Sequence, residues 1–233
     1  MMCARKDEWQ RGGLGGGPWL FMDAAGADVR IGCWEAEKWL AWERTAGRLA
    51  VEGLFAATDG VLERAGVRLE ECAGVVFVEG PGSILGIRIA AMAVRAWRAL
   101  PVLAGRPVWG VGSLALAGHL LLRADPAQRD FSLLADSRQG RWNVSVVRDG
   151  VVRDGFEEKR AEELAALPRP CFRISQRALG MPPVDCENYP AGLLEEDAGV
   201  LTVPGLLRQI EEPDAVNMPG VFAKWEPGRH RGG

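Results

Sequence analysis

The chain has 233 residues, of which 48% are hydrophobic and 25% charged, and its net charge is -3. That length allows one large domain or two small ones, and the apolar share is ample for a packed core. The slightly acidic balance argues against a general nucleic-acid binder, whose footprint is basic, though not against a subunit that meets RNA through a partner. Five scattered cysteines (Cys3, Cys33, Cys72, Cys171, Cys186) without CxxC spacing fit a reducing, cytoplasmic setting better than a disulfide framework or a zinc site. With only His119 and His230 in the sequence, a histidine-rich metal site needs a partner chain. No apolar run reaches the eighteen or so residues of a membrane helix. Walker A, GxSxG and GxGxxG patterns are missing.

In chain order, residues 1–18 are polar and Gly-rich and read as a disordered extension, not a secretory signal. Trp19 to Met22 reads as a first strand ending in Asp23-Ala24-Ala25-Gly26. Val29 to Trp34 alternates as a second strand, and Lys38 to Glu43 as a third. Ala46 to Ala65 has helical spacing and ends at Gly66. Val75 to Val78 is a short buried strand. Gly80-Pro81-Gly82 then turns the chain, and Ser83 caps a helix from Ile84 to Leu100, stopped by Pro101. Pro107 to Val111 is a further strand, and Ser113 caps a helix through Leu122, in which His119 reads as structural.

A second meander follows. Phe131 to Ala135, Trp142 to Val147 and Val151 to Arg153 read as three strands, with hairpin turns at Asp136–Gly140 and Arg148–Gly150. Then come a short helix near Ala161–Leu167, a strand at Cys171–Ile174, a helix near Leu193–Ala198 and a helix from Pro204 to Ile210. The doubled β-β-β-α-β-α order predicts a two-lobed α/β fold of the actin-like, sugar-kinase and Hsp70 type, with a divergent second lobe. Residues 19–112 form the first lobe, 113–226 the second, and 227–233 a basic tail.

The strand–Gly turn–helix segment carries the sharpest chemistry. It places backbone N–H groups where an anion could sit, or it merely redirects the chain. Asp23 and Asp136 each follow their lobe's first strand. They stand where Mg²⁺ carboxylates would lie in a kinase of this fold, or they cap turns. The nucleotide-site candidates are therefore Asp23, Gly80, Gly82, Ser83 and Asp136. Lys224, Trp225, Arg229, His230 and Arg231 could touch phosphates and stack a base, or remain a solvated terminus.

Gly80-Pro81-Gly82-Ser83 with Gly86-Ile87-Arg88, the Val108–Leu114 turn and the Leu134–Trp142 hairpin together resemble the TsaB family. These are glycoprotease-like proteins of tRNA threonylcarbamoyladenosine biosynthesis. The resemblance runs from about Trp19 to Val147. It implies a non-catalytic scaffold subunit with no cofactor or metal of its own. Such a subunit pairs with a catalytic TsaD-like chain and a TsaE-like ATPase, touches tRNA only through the complex, and can form a homodimer without its partner. Ala24 and Ala25 replace hydroxyl residues of the family's first turn, and Ile84-Leu85 replaces a Phe-Thr pair. The His-Ser pair near the first helix is absent, with Ala46-Gly47-Arg48 in its place. These departures weaken independent nucleotide binding. The expected partner contacts are Leu54, Thr58, Val61, Ile84, Ile87, Arg88, Ala91, Val94 and Arg95, although each apolar position also suits the chain's own core. The alternative is a degenerate nucleotide-binding protein of kinase or peptidase type.

Overall fold

The structure is a computed structural model and describes residues 14, 16–45, 50–137, 140–174 and 182–214. The expected start of the first helix at Ala46, the basic tail and most of the N-terminal extension lie outside the described residues.

Two sheets form the framework. The first holds β1 (Trp19–Asp23), β2 (Val29–Glu35), β3 (Lys38–Thr45), β4 (Gly74–Gly80) and β5 (Val108–Gly112). The second holds β6 (Phe131–Asp136), β7 (Arg141–Val147), β8 (Glu157–Arg160), β9 (Cys171–Ile174) and β10 (Glu187–Asn188). Their strand orders are β11-β5-β4-β1-β2-β3 and β10-β9-β6-β7-β8, where β11 is Arg208–Ile210. In each sheet the first strand pairs antiparallel with the second and parallel with the fourth of its unit. The repeat expected from the two meanders is thus a repeat of topology, and the fold is two-lobed and actin-like.

The central strands β1 and β4 are buried along their whole length, which is why both read as continuous apolar runs. Trp39 and Trp42 of β3 pack over Gly32, with Phe21 5.6 Å from Trp39 and 5.9 Å from Trp42 between ring centroids. Helix α1 (Ala50–Ala65) covers β2 and β3, and α2 (Ile84–Ala99) covers β4 and leans on α1. The end of α1 is sealed by Val67 N–H bonding the Leu62 carbonyl and Gly66 N–H bonding that of Glu63, at 3.0 and 3.1 Å. Helix α3 (Ser113–Ala124) lies between the lobes, touching β4 and β5 on one side and β6 and β7 on the other. The short α4 (Leu193–Glu196) packs on α3.

Three expectations are corrected. The third strand of the second meander is β8, not Val151–Arg153. The Asp149-Gly150 turn closes a single bridge, Arg148 to Val151, and Val152 then leaves the sheet to pack 3.2 Å from the position a Gly118 Cβ would take on α3. Residues 204–210 are not a helix. The open edge of β5 takes up Arg208–Ile210 antiparallel, so the chain returns to the first sheet within the segment expected to belong wholly to the second lobe. Ser113 is the first residue of α3 rather than its cap, and its hydroxyl donates to the Pro81 carbonyl at 2.7 Å.

Candidate functional site

The chain after β4 makes a tight loop, Gly80 to Gly82, before Ser83 caps α2. The Ser83 hydroxyl accepts a hydrogen bond from Gly86 N–H at 3.3 Å. The same residue's N–H, which an anion cradle would need, is already used: it donates to the Ala25 carbonyl at 2.7 Å. The β1–β2 turn presses on this loop. A Cβ on Gly82 would stand 2.3 Å from the Ala25 carbonyl oxygen, and one on Gly86 would stand 2.1 Å from that of Ala24. The two glycines therefore bring backbone against backbone of the same chain, and Ala24 and Ala25 are buried where they do so.

Asp23 is spent in a similar way. One carboxylate oxygen accepts Ala25 N–H at 2.9 Å, and the other pairs with Arg30 at 3.4 Å. Nearby, Asp28 pairs with Arg44 at 2.6 Å. These residues wall a cleft between the lobes, closed opposite by Ser113, Leu116, Ile174 and Tyr189. Its volume is about 110 Å³, well under the roughly 300 Å³ at which small-molecule pockets begin. Tyr189 is half-buried, and its phenol is held well above its ordinary pKa by burial, against the pull of Arg30 and with a further push from Asp23. It enters the cleft as a neutral hydroxyl. Asp136 does not line this cleft. Its carbonyl accepts from the Asn143 amide at 3.4 Å, and the neighbouring Ser137 hydroxyl donates to Glu158 at 2.6 Å. The structure thus brings Asp23, Gly80, Gly82 and Ser83 together as a sealed turn and leaves Asp136 apart from it. Among the described residues no group of three or more His, Cys, Asp or Glu side chains is arranged to hold a metal ion.

The expected partner contacts divide sharply. Leu54, Thr58, Val61, Ile87, Ala91 and Val94 are all 2% exposed or less. They form the inner faces of α1 and α2 and pack in the chain's own core. Thr58 also spends its hydroxyl on the Leu54 carbonyl at 2.8 Å. Ile84 is half-buried, while Arg88 and Arg95 are exposed. The residues that face outward were missed: Leu85 is 70% exposed, Met92 66% and Phe55 42%. Leu85 and Met92 are seven residues apart and share one stripe of α2 with Arg88 and Arg95. Phe55 joins it from α1, its ring edge-on to Trp97 at 6.0 Å. Both stripes of α2 are apolar enough to be buried. Periodicity alone had no means to choose between them.

An ion pair with a buried carboxylate was also missed. Glu79 is 4% exposed at the end of β4 and accepts from Arg208 of β11 at 2.8 Å. Burial pushes its pKa up and Arg208 opposes this. A Cβ on Gly110 would stand 2.3 Å from the Glu79 carboxylate, so that glycine makes its room.

The family model described as "TsaD: tRNA N6-adenosine threonylcarbamoyltransferase" matches residues 44–178, more than half of the chain. The chain belongs to this family. Its matched span runs from the end of β3 to just beyond β9 and includes the sealed Gly80–Ser83 turn. Two solved structures from Pseudomonas aeruginosa are similar in fold. One, a protein "with similarity to peptidase YEAZ", is 21% identical, covers 86% of this chain and 99% of its own, and has a TM-score of 0.62. The other, YeaZ, is 20% identical over 87% of this chain and 100% of its own, with a TM-score of 0.60. Comparison with curated proteins finds no match. The glycoprotease-like family resemblance carried by Gly80–Arg88 and the Asp136 hairpin is borne out. The described helices include none long and apolar enough to cross a membrane.

Proposed function

We propose that this chain is the non-catalytic scaffold subunit, of TsaB type, in the cytoplasmic complex that forms threonylcarbamoyladenosine next to the anticodon of tRNA. A TsaD-like subunit holds the chemistry, and a TsaE-like ATPase and the tRNA join through the complex. The observation that carries this reading is the sealed turn. The N–H of Ser83 and the space beside Gly82 and Gly86 are filled by the carbonyls of Ala25 and Ala24, where a catalytic member of such a fold needs room for phosphate. What the lobe offers instead is an outward apolar stripe, Leu85, Met92 and Phe55, flanked by Arg88 and Arg95. Exposed large side chains grouped on two adjacent helices favour protein contact. Without the partner, a second copy can occupy the same stripe.

Depletion of the protein followed by mass spectrometry of tRNA nucleosides tests the function. Loss of threonylcarbamoyladenosine is expected, and an unchanged level overturns the reading. Calorimetric titration of the isolated chain with Mg-ATP tests the enzymatic alternative, and tight binding would favour it. Co-purification with a TsaD-like chain, abolished by Met92→Glu with no change in melting temperature, tests the stripe.

A further inference from the structure

We propose that Cys171 and Cys186 are a dithiol that closes to a disulfide under oxidation and pins β10 to β9 beside the cleft between the lobes. Strand register brings the two residues together. In the parallel pair of β9 and β10, Phe172 stands opposite Glu187 and Arg173 opposite Asn188. One step back along both chains, Cys171 stands opposite Cys186. That rung is held from both sides. Before it, the Arg169 guanidinium donates to the Asp185 carbonyl. After it, Tyr189 N–H donates to the Arg173 carbonyl at 2.9 Å. Opposed residues of a parallel pair point to one face of the sheet. Paired strands lie about 4.8 Å apart, within the roughly 4.4–6.8 Å of Cα separations that a disulfide bridges. Both side chains pack into one apolar cluster with Trp142, Leu164 and Leu167, and both are free thiols.

Cys171 is buried, whereas Cys186 is half-buried and lines an open hollow of about 500 Å³ with Arg169, Asp185 and Glu187. Burial, the adjoining Cys171 sulfur and a hydrogen bond to it push the Cys186 pKa up to about 11, against the pull of Arg169. Cys186 therefore rests as the neutral thiol. A low-molecular-weight disulfide such as oxidised glutathione reaches it through the hollow. The Cys186 thiol gives its proton to solvent, and its sulfur attacks one sulfur of that disulfide. The first glutathione leaves as a thiolate and takes up a proton. The Cys171 sulfur, deprotonated in its turn, attacks Cys186 Sγ and expels the second glutathione in the same way. Two protein thiols are oxidised to one disulfide, and one small disulfide is reduced to two thiols. Cys33 and Cys72 are fully buried and out of reach of the reagent. The new bond closes a ring of roughly fifteen residues, which restricts the unfolded chain. Strand β10 is two residues long and passes straight into Tyr189, a wall of the cleft, so pinning β10 fixes that wall. None of this depends on the partner complex.

The test is incubation of the full chain with oxidised glutathione, followed by peptide mass mapping. A cross-linked peptide joining Cys171 to Cys186 is expected as the main product, formed within one copy and reopened by dithiothreitol. Its rate of formation should rise about tenfold per pH unit between about pH 7 and pH 9, as the thiolate fraction of Cys186 does. The oxidised chain should melt about 5 °C above the reduced one. Cys186→Ser, at a half-buried position, should keep the reduced chain's melting temperature and leave Cys171 unmodified. Four outcomes overturn the proposal: a glutathione adduct that stays on Cys186, a bridge between two copies, pairing with another cysteine, or recovery of both thiols after the wild type is held in excess reagent at about pH 9. An oxidised chain that melts no higher than the reduced one overturns the pinning of β10.

Discussion

The two lobes share a strand order and little else. In the first, six strands, two sixteen-residue helices and an aromatic cluster close around β1 and β4. In the second, the helix expected between the third and fourth strands is a short 3-10 turn, Ala161–Ala166, and β10 is two residues long. The turns after the first strands differ in the same sense. The Asp23 turn is packed backbone to backbone against the start of α2, whereas the Asp136 turn is held by side-chain hydrogen bonds, from the half-buried Ser137 and the exposed Arg141 to Glu158. Ladder pairing depends on the backbone, so it tolerates change in side chains. Helices persist only where a buried stripe requires them, and the first lobe's helices have both an inner and an outer stripe to serve.

The largest effects should come from breaking the seal. Gly86→Ala forces a Cβ against the Ala24 carbonyl, which cannot move without dragging β1. A loss of about 3 kcal/mol is expected, seen as a fall of roughly 6–12 °C in melting temperature. The counterpart in the second lobe, Ser137→Ala, removes one part-buried side-chain hydrogen bond and should cost about 1 kcal/mol. Calorimetry of the two variants decides, and equal losses would end the distinction between a packed turn and a decorated one.

The two faces of a helix pair sharpen the same contrast. Leu54→Ala empties a fully buried site and should cost about 3 kcal/mol. Leu85→Ser, on the outer stripe, should leave denaturant midpoints within about 0.5 kcal/mol of wild type while weakening partner capture. If Leu54→Ala melts normally but loses the partner, the inner and outer assignments are reversed.

Much of this architecture was legible before any coordinates. Val75–Val78 read as a buried strand, Gly80–Ser83 as a turn and cap with an anion cradle as the other reading, and the doubled meander pointed to the fold. What sequence left open were choices between two apolar options. On α2, Ile87 and Val94 lie inward and Leu85 and Met92 outward, yet both sets suit a core. At the C-terminus, residues 204–210 read as a helix because the open edge of β5 that captures Arg208–Ile210 lies about a hundred residues away. The Glu79–Arg208 pair was hidden for the same reason.

That pair gives the lobes opposite responses to acid. Burial raises the Glu79 pKa, so on raising pH the unfolded chain ionises first and the folded state loses ground. Its contribution is fully present below the ordinary glutamate range and is lost as pH climbs through the raised value. Glu158 of β8 is lowered by hydrogen bonds from Ser137 and Arg141, so its contribution is present above the ordinary range and lost as pH falls. Glu79→Gln should flatten the first slope, and Arg208→Ala should steepen it by removing the opposing charge. Melting temperatures between about pH 4 and pH 7 measure both. A wild-type profile unaltered by Glu79→Gln would show that this carboxylate titrates as if exposed.

A last contrast lies in a pair of two-residue turns, one per lobe. Asp149-Gly150, in the second, has φ of 52° and 73°, the type I′ geometry with the residues that suit it. Ala36-Glu37, between β2 and β3, adopts the same geometry with φ of 48° and 65° and has neither Asn nor Gly. Each side chain there meets the steric cost of the left-handed region. The better-packed lobe therefore carries the worse turn, and the strain is sustained by the pairing of Trp34 with Trp39 and Glu35 with Lys38 beside it. Replacing Ala36-Glu37 with Asn-Gly should raise stability by about 1 kcal/mol, offset in part by the freer unfolded chain that glycine brings. Gly150→Ala should lower it by about the same, since its Cβ would also meet the Arg129 guanidinium at 3.2 Å. Urea midpoints with unchanged slopes measure both. If Asn-Gly fails to stabilise the first hairpin, its turn conformation is set by the surrounding ladder, and the residues at its tip are energetically indifferent.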